Sequence, residues 1–247
     1  ISRPLGEHLK EGEWLILCRT HAVVQEVIDS LIQNGHIFKV YGKNYIQYDY
    51  IKAIKGWTAL CRGEKVIGAD ISILYKNMDS TRISRGHGEF KGDPDEMFDM
   101  EKLFQHFGLK RHVVLKIEDE LGDTQTINKD VKDIVWYDML NGKNIRKQEA
   151  YLRNILESGF NLETKPRIEV STIHASKGGE RQKVMLIADM SYGPHNAMMS
   201  SQEGRDDEAR VFYVAATRAK EELHLVRQTT KQYEYEPIFM AVRDSER

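Results

Sequence analysis

The sequence predicts an α/β fold: a parallel sheet flanked by helices and interrupted by a mostly helical insertion. Three observations carry this. Near the N-terminus an apolar run, a helical pattern and a second apolar run follow one another, and strand, helix, strand in close succession implies a parallel sheet. The alternation returns later in the chain at Ile168-Glu169-Val170-Ser171-Thr172, Val184-Met185-Leu186-Ile187-Ala188 and Glu222-Leu223-His224-Leu225-Val226. In between, over residues 70–163, the pattern loosens into polar, glycine-punctuated sequence. The expected organisation is a discontinuous domain, 1–69 with 164–247, holding an insertion of residues 70–163.

Trp14-Leu15-Ile16-Leu17-Cys18 is short and wholly apolar, as a buried strand is. Val24, Val27, Ile28, Leu31 and Ile32 then recur at helical spacing, with Thr20 suited to the N-cap and Gly35 to the C′ position. Ile37-Phe38-Lys39-Val40-Tyr41 makes the second strand, and residues 45–61 a second helix carrying Tyr48, Ile51, Ile54 and Trp57. Ser80-Thr81-Arg82-Ile83-Ser84-Arg85-Gly86-His87-Gly88 is polar, and Gly92-Asp93-Pro94-Asp95 marks a turn. Short helices are expected around 95–107 and 148–158, with an apolar patch of undecided type between them. Residues 190–207, containing Gly193-Pro194, read as a mobile polar loop. Residues 208–220 read as a helix with Val211, Phe212, Ala215 and Ala219 on one face, before the last strand.

Forty per cent apolar and thirty per cent charged residues is the composition of a soluble globular chain. No apolar run approaches the roughly 18 residues of a membrane-spanning helix, and no basic stretch followed by an apolar core reads as a signal peptide. Cys18 and Cys61, the only cysteines, are spaced for neither a metal nor a disulfide framework, which fits a reducing, cytoplasmic setting. A formal charge of −2 excludes nucleic-acid binding through the overall field, so such binding requires a local patch or a partner. The chain begins with Ile1 rather than Met, as a piece of something longer would.

The stretch Arg167-Ile168-Glu169-Val170-Ser171-Thr172-Ile173-His174-Ala175-Ser176-Lys177-Gly178-Gly179-Glu180 passes from an apolar run into small, charged and glycine residues. It reads as a buried strand delivering a reactive loop to the carboxyl end of the sheet, where open α/β sheets bind ligands. Lys177-Gly178-Gly179 invites a phosphate cradle, since glycine lets backbone N–H groups approach an anion. A P-loop, however, closes with Gly-Lys-Ser/Thr, and the carboxylate of Glu180 repels phosphate, so the loop fails as a self-sufficient nucleotide site. Glu180 can instead accept hydrogen bonds from a ribose hydroxyl, while Thr172 and His174 can donate to a phosphodiester. The alternatives are a solvated Lys177 and a structural His174. Arg218, in a helical pattern of small and apolar residues, is either a cation near a helix C-terminus or an arginine finger. Arg19 directly follows a buried strand, on the same edge as His174, so that two arginines and a Gly-rich loop are expected on one sheet edge.

Taken together these segments resemble a known family. Thr172-Ile173-His174-Ala175-Ser176-Lys177-Gly178-Gly179-Glu180 is similar to motif V of the UvrD/Rep-type helicases of superfamily 1. Tyr213-Val214-Ala215-Ala216-Thr217-Arg218-Ala219-Lys220 is similar to motif VI, and Leu15-Ile16-Leu17-Cys18-Arg19-Thr20 to motif IV, with the helix and Tyr41-Gly42 following in order. The resemblance covers residues 12–62 and 150–227. It implies the second RecA-like domain, called 2A, with a short 2B-type insertion. By the same resemblance Arg19 and Arg218 are catalytic and reach the γ-phosphate of ATP bound by the first RecA-like domain. Glu180 then meets the nucleotide sugar with Gly178 on the nucleotide side, and Thr172, His174 and Lys177 meet single-stranded DNA. The sequence departs from the family at His21, where Asn is common, at Gly179, where Leu is common, and at Tyr50-Ile51-Lys52-Ala53, where Glu-Ile-Lys-Asp is usual.

No Gly-x-x-x-x-Gly-Lys-Ser/Thr occurs, and no Asp-Glu pair stands in a Walker B setting. The groups that hold most of the ATP and the Mg2+ are therefore expected from an N-terminal RecA-like domain, and this chain alone is expected not to hydrolyse ATP. The resemblance implies an ATP-dependent DNA helicase or translocase, 3′ to 5′ by analogy, with single-stranded DNA, that N-terminal domain and accessory replication or repair proteins as partners, and no membrane. The rivals are a non-catalytic helicase-like scaffold in a repair complex and a stand-alone nucleotide switch on Lys177-Gly178-Gly179. Intact Arg19, Glu180 and Arg218 favour the helicase. Basic spots at Arg82/Arg85, Lys110/Arg111 and Lys143/Arg146/Lys147 read either as duplex contacts or as a solvated face.

Overall fold

A computed structural model describes residues 9, 11–118, 124–140, 143–157, 159, 161–176, 179–227 and 233–245. Contacts divide the chain into two compact units, 1–45 with 154–247, and 46–153.

The first unit is built on strand β1, Trp14–Cys18, whose five residues are all buried. It lies between β4, Ile168–Thr172, and β5, Arg181–Ile187, and is parallel to both. Helix α1, His21–Gln33, leads to β2, Phe38–Val40, which pairs in parallel with β4, and edge strand β3, Lys43–Asn44, pairs antiparallel with β2. On the other side β7, Ala219–Val226, runs parallel to β5, giving the order β7-β5-β1-β4-β2-β3. The expected parallel sheet is present, with β4 inserted between the two strands of the N-terminal strand–helix–strand unit. Continuous apolar runs suit strands covered on both faces. The termini of α1 are those the sequence marks: Thr20 Oγ1 accepts the Val23 N–H at 3.4 Å, and Gly35, at φ +66, donates to the Ile32 carbonyl at 3.1 Å.

After β5 comes β6, Asp189–Met190, which pairs antiparallel with β8, Tyr233–Glu234. Residues 190–207 are not a polar loop. They contain helix α2, Tyr192–Ser200, and the start of α3, Gln202–Ala216. Gly193-Pro194 falls in the first turn of α2, where the N–H that proline lacks has no helical acceptor anyway. Ser201 caps α3, its Oγ accepting the Gly204 N–H at 3.0 Å. A Cβ at Gly204 would lie 2.3 Å from the Ala197 carbonyl oxygen, so the close approach of α2 and α3 requires glycine there. The helix α4, Pro237–Ser245, ends the described chain.

Leu15, Leu17, Ile173, Val184, Leu186, Ala188, Met190, Phe212, Ala215 and Tyr235 form a buried core joining α3 to the sheet. The Phe212 and Tyr235 rings stack with centroids 4.2 Å apart. The helix α3 ends at Ala216, and β5 and β7 begin at Arg181 and Ala219, each three residues before the stretch marked as a strand in the sequence.

The second unit is mostly helical, with Tyr48–Cys61, Gly68–Asn77, Met100–His106 and the start of Lys143–Glu157. The undecided apolar patch is an antiparallel hairpin of His112–Glu118 and Thr124–Asp130. Its second strand is exposed throughout, which removes the apolar alternation that would have marked it. Trp57 is buried there, and its indole N–H donates to the Ile134 carbonyl at 2.8 Å.

Phe212→Ala removes a buried aromatic ring from the first unit's core. Loss of such a ring costs about 3–5 kcal/mol, to be read as a lower urea midpoint at unchanged m-value.

Candidate functional site

Parallel strands give the sheet two chemically different edges. At the carboxyl edge β1 delivers Arg19 and Thr20, and β4 delivers Thr172, Ile173 and His174. The Ile173 N–H donates to the Cys18 carbonyl at 2.9 Å and ties the two strand ends together. Thr172 is buried, its hydroxyl accepting the Ala175 N–H at 3.3 Å, and Ser176 Oγ donates to the Ile173 carbonyl at 2.7 Å. The tight turn His174–Ser176 that results leaves His174 exposed.

Two buried carboxylates fix Arg19. Asp189 Oδ1 accepts the Arg19 N–H at 2.6 Å, and Oδ2 accepts the Thr20 N–H at 2.8 Å and its hydroxyl at 2.6 Å. The guanidinium forks onto Glu208 of α3, Nε to Oε2 at 3.1 Å and Nη2 to Oε1 at 3.0 Å. The two side chains are only 17% and 8% exposed, so the charge of Arg19 is already met inside the domain.

Arg218 stands elsewhere. It is not in a helix but in the turn between α3 and β7, and its carbonyl accepts the Arg181 N–H at 3.1 Å. Because β7 runs parallel to β5, the residue before it lies at the amino edge. Continuing the strand registers, Arg19 is level with Ala188 and Arg218 with Glu180. Eight residues at about 3.3 Å each put their backbones roughly 25 Å apart along the sheet. The two arginines expected on one edge are therefore not brought together. Arg19 does share an edge with Thr172 and His174, and Glu180 shares the other with Arg218. Glu180 is exposed there, 3.7 Å from Lys220 Nζ. Arg218 is half-buried, and its Nε is buried without a hydrogen-bond partner among the described residues. Lys177 and Gly178 lie outside the described residues.

The family model of the UvrD-like helicase C-terminal domain matches residues 19–230. The chain belongs to this family. It is also similar to the ATP-dependent DNA helicase Rep of Escherichia coli (strain K12), with 34% identity over 73 residues. That alignment covers 29% of this chain and 11% of the Rep protein. The chain thus matches a small part of a much longer relative.

In this UvrD-like domain the Nε of Arg218 is a desolvated donor, a group that an anionic acceptor would satisfy. The residues present fit contact with a phosphate from this side. Among the described residues no group of three His, Cys, Asp or Glu side chains is gathered to hold a metal ion, and no helix is long and apolar enough to cross a membrane.

Sequence reasoning missed Asp189 and Glu208, although each left a trace. Asp189 interrupts Ala188-Asp189-Met190 at the end of an apolar strand, a place where a carboxylate needs donors. Glu208 lies four and seven residues before Phe212 and Ala215, on the buried face of the helix. Burial pushes the pKa of Asp189 above 3.8, against the opposing pull of the Thr20 hydroxyl and the N–H groups of Arg19 and Thr20. A carboxyl with a raised folded pKa favours folding most below its unfolded pKa, and that contribution is lost as pH rises through the folded value. Asp189→Asn keeps the shape but turns an NH2 toward N–H and O–H donors, a loss of about 1–3 kcal/mol at neutral pH. Urea titrations from pH 4 upward should show the parent losing stability relative to Asp189→Asn, whose side chain does not titrate, so that the gap between them is widest at the acid end.

Proposed function

We propose that this domain is the C-terminal half of an ATP-dependent DNA helicase or translocase, working 3′ to 5′ in the cytoplasm. The supporting observation is the arrangement of one connection. Residues 173–180 leave β4 at the carboxyl edge, with His174, and enter β5 at the amino edge, with Glu180. A single short segment thus carries a candidate DNA contact at one end and a candidate nucleotide contact at the other.

In this reading ATP is the substrate, held with Mg2+ mainly by an N-terminal RecA-like domain. Arg218 acts as the finger on its γ-phosphate, Glu180 accepts from the ribose hydroxyls, and Gly178 lies on the nucleotide side. Thr172, His174 and Lys177 take the single-stranded DNA. Arg19 is left out of the finger role in this reading, since its guanidinium is already engaged by Glu208. Closure of the two RecA-like domains on ATP alters the 173–180 connection and with it the grip on the strand. Opening a base-pair step costs roughly 1.4 kcal/mol of stacking, a load that nucleotide turnover can carry. We assign residues 1–69 with 164–247 to the 2A domain and 70–163 to a 2B-type insertion, most of which falls in the second compact unit. Accessory replication or repair proteins complete the set of partners.

Arg218→Ala in the full-length protein tests the assignment. Loss of an arginine finger lowers turnover by about 10³–10⁵-fold, and ATP turnover should fall on that scale while affinity for an oligonucleotide is retained. Undiminished turnover removes Arg218 from the site. A parent protein with no turnover at all supports the scaffold reading instead.

A further inference from the structure

The two edges are joined by a second route. Helix α3 carries Glu208 opposite Arg19 at the carboxyl edge and ends at Ala216, just before Arg218 at the amino edge. Ten residues separate Glu208 from Arg218, a span of roughly 15 Å in helix at about 1.5 Å per residue. The length of the Arg19 side chain makes up part of the remaining distance across the sheet.

The helix cannot slide freely between these points. Its inward residues Glu208, Phe212 and Ala215 are buried, and the last two pack in the core that includes Ile173, the neighbour of His174. A close-packed interior passes a displacement on rather than absorbing it. The Arg19–Glu208 contact adds direction, because a two-bond fork holds both position and angle. Stability alone is a poor explanation for such a pair, since well-packed apolar residues often replace a buried ion pair at no cost.

We propose that Glu208 is a positioning residue that links the DNA edge to Arg218, so that stimulation of ATP turnover by single-stranded DNA runs through the Arg19–Glu208 pair. DNA engaging the Thr172–His174 edge moves the ends of β1 and β4. Arg19 moves with β1, held by its N–H on Asp189. Glu208 follows the guanidinium, and α3 re-aims the turn that carries Arg218. The inference rests on the reading of Arg218 as the finger and adds the element that controls it.

The test is ATP turnover of the full-length enzyme with and without saturating oligo-dT. Glu208→Gln preserves size and removes the charge-assisted fork, and Arg19→Lys keeps the charge but cannot fork. In both, the ratio of stimulated to unstimulated turnover should drop about tenfold, within the usual range of coupling between sites, with half-saturating oligo-dT moved by less than about threefold. The double variant should be no worse than either single one, as for two residues acting through one contact. A ratio within about twofold of the parent in both variants, or equal loss of both rates with the ratio intact, overturns the proposal. If Glu208→Gln does not fold, Arg19→Lys decides by the same ratio. An active Arg218→Ala removes Arg218 from the site, and a parent without DNA stimulation refutes the helicase reading; each overturns the premise of the proposal and is distinct from the ratio results.

Discussion

The parallel pairing of β1 with β4 on one side and β5 on the other is the constraint from which the rest follows. Once β4 and β5 run in the same direction, the chain between them must travel from one edge of the sheet to the other. Parallel connections normally take a dozen or more residues and include a helix. Here residues 173–180 do it, and eight residues reach at most roughly 26–29 Å when extended. The connection therefore begins with Ile173 and His174 at one edge and ends with Glu180 at the other, with no helix of eight or more residues between them among the described residues.

The second consequence concerns charge. An apolar sheet end packed under two helices has little room for an arginine, and Arg19 is accommodated because Glu208 meets its guanidinium while Asp189 holds its backbone. The same Asp189 also receives the N–H and hydroxyl of Thr20, the residue that caps α1. One buried carboxylate therefore sets both the strand end and the helix start. A buried charge left without its partner is far more costly than the pair is favourable, so the three residues Arg19, Asp189 and Glu208 stand or fall as a group.

Local signals were legible in the sequence, and long-range ones were not. The strand Trp14–Cys18, its following helix and the caps Thr20 and Gly35 are all decided by neighbours a few residues away, and the sequence marks each of them. The helices at Tyr192–Ser200 and Gln202–Ala216 were hidden because Gly193-Pro194 imitates a turn and the exposed, polar start of the second helix imitates a loop. The end of that helix was misplaced because Val211, Phe212, Ala215 and Ala219 keep helical spacing across the turn at Arg218. That one error moved Arg218 to the wrong edge. Which edge it occupies depends on the register of β7 against β5, and the partners of Arg19 lie 170 and 189 residues away, beyond the reach of any local pattern. Family resemblance correctly indicated what kind of domain this is, while the geometry separated residues that the motifs had grouped.

Under the proposed function, nucleotide and DNA meet opposite edges of one sheet. Photo-crosslinking of the full-length protein with an ATP analogue bearing its reactive group on the γ-phosphate addresses it most directly. Label is expected in the peptide containing Arg218 and none in the peptide containing Arg19. Label on the Arg19 peptide at a yield equal to or above that on Arg218 would contradict it.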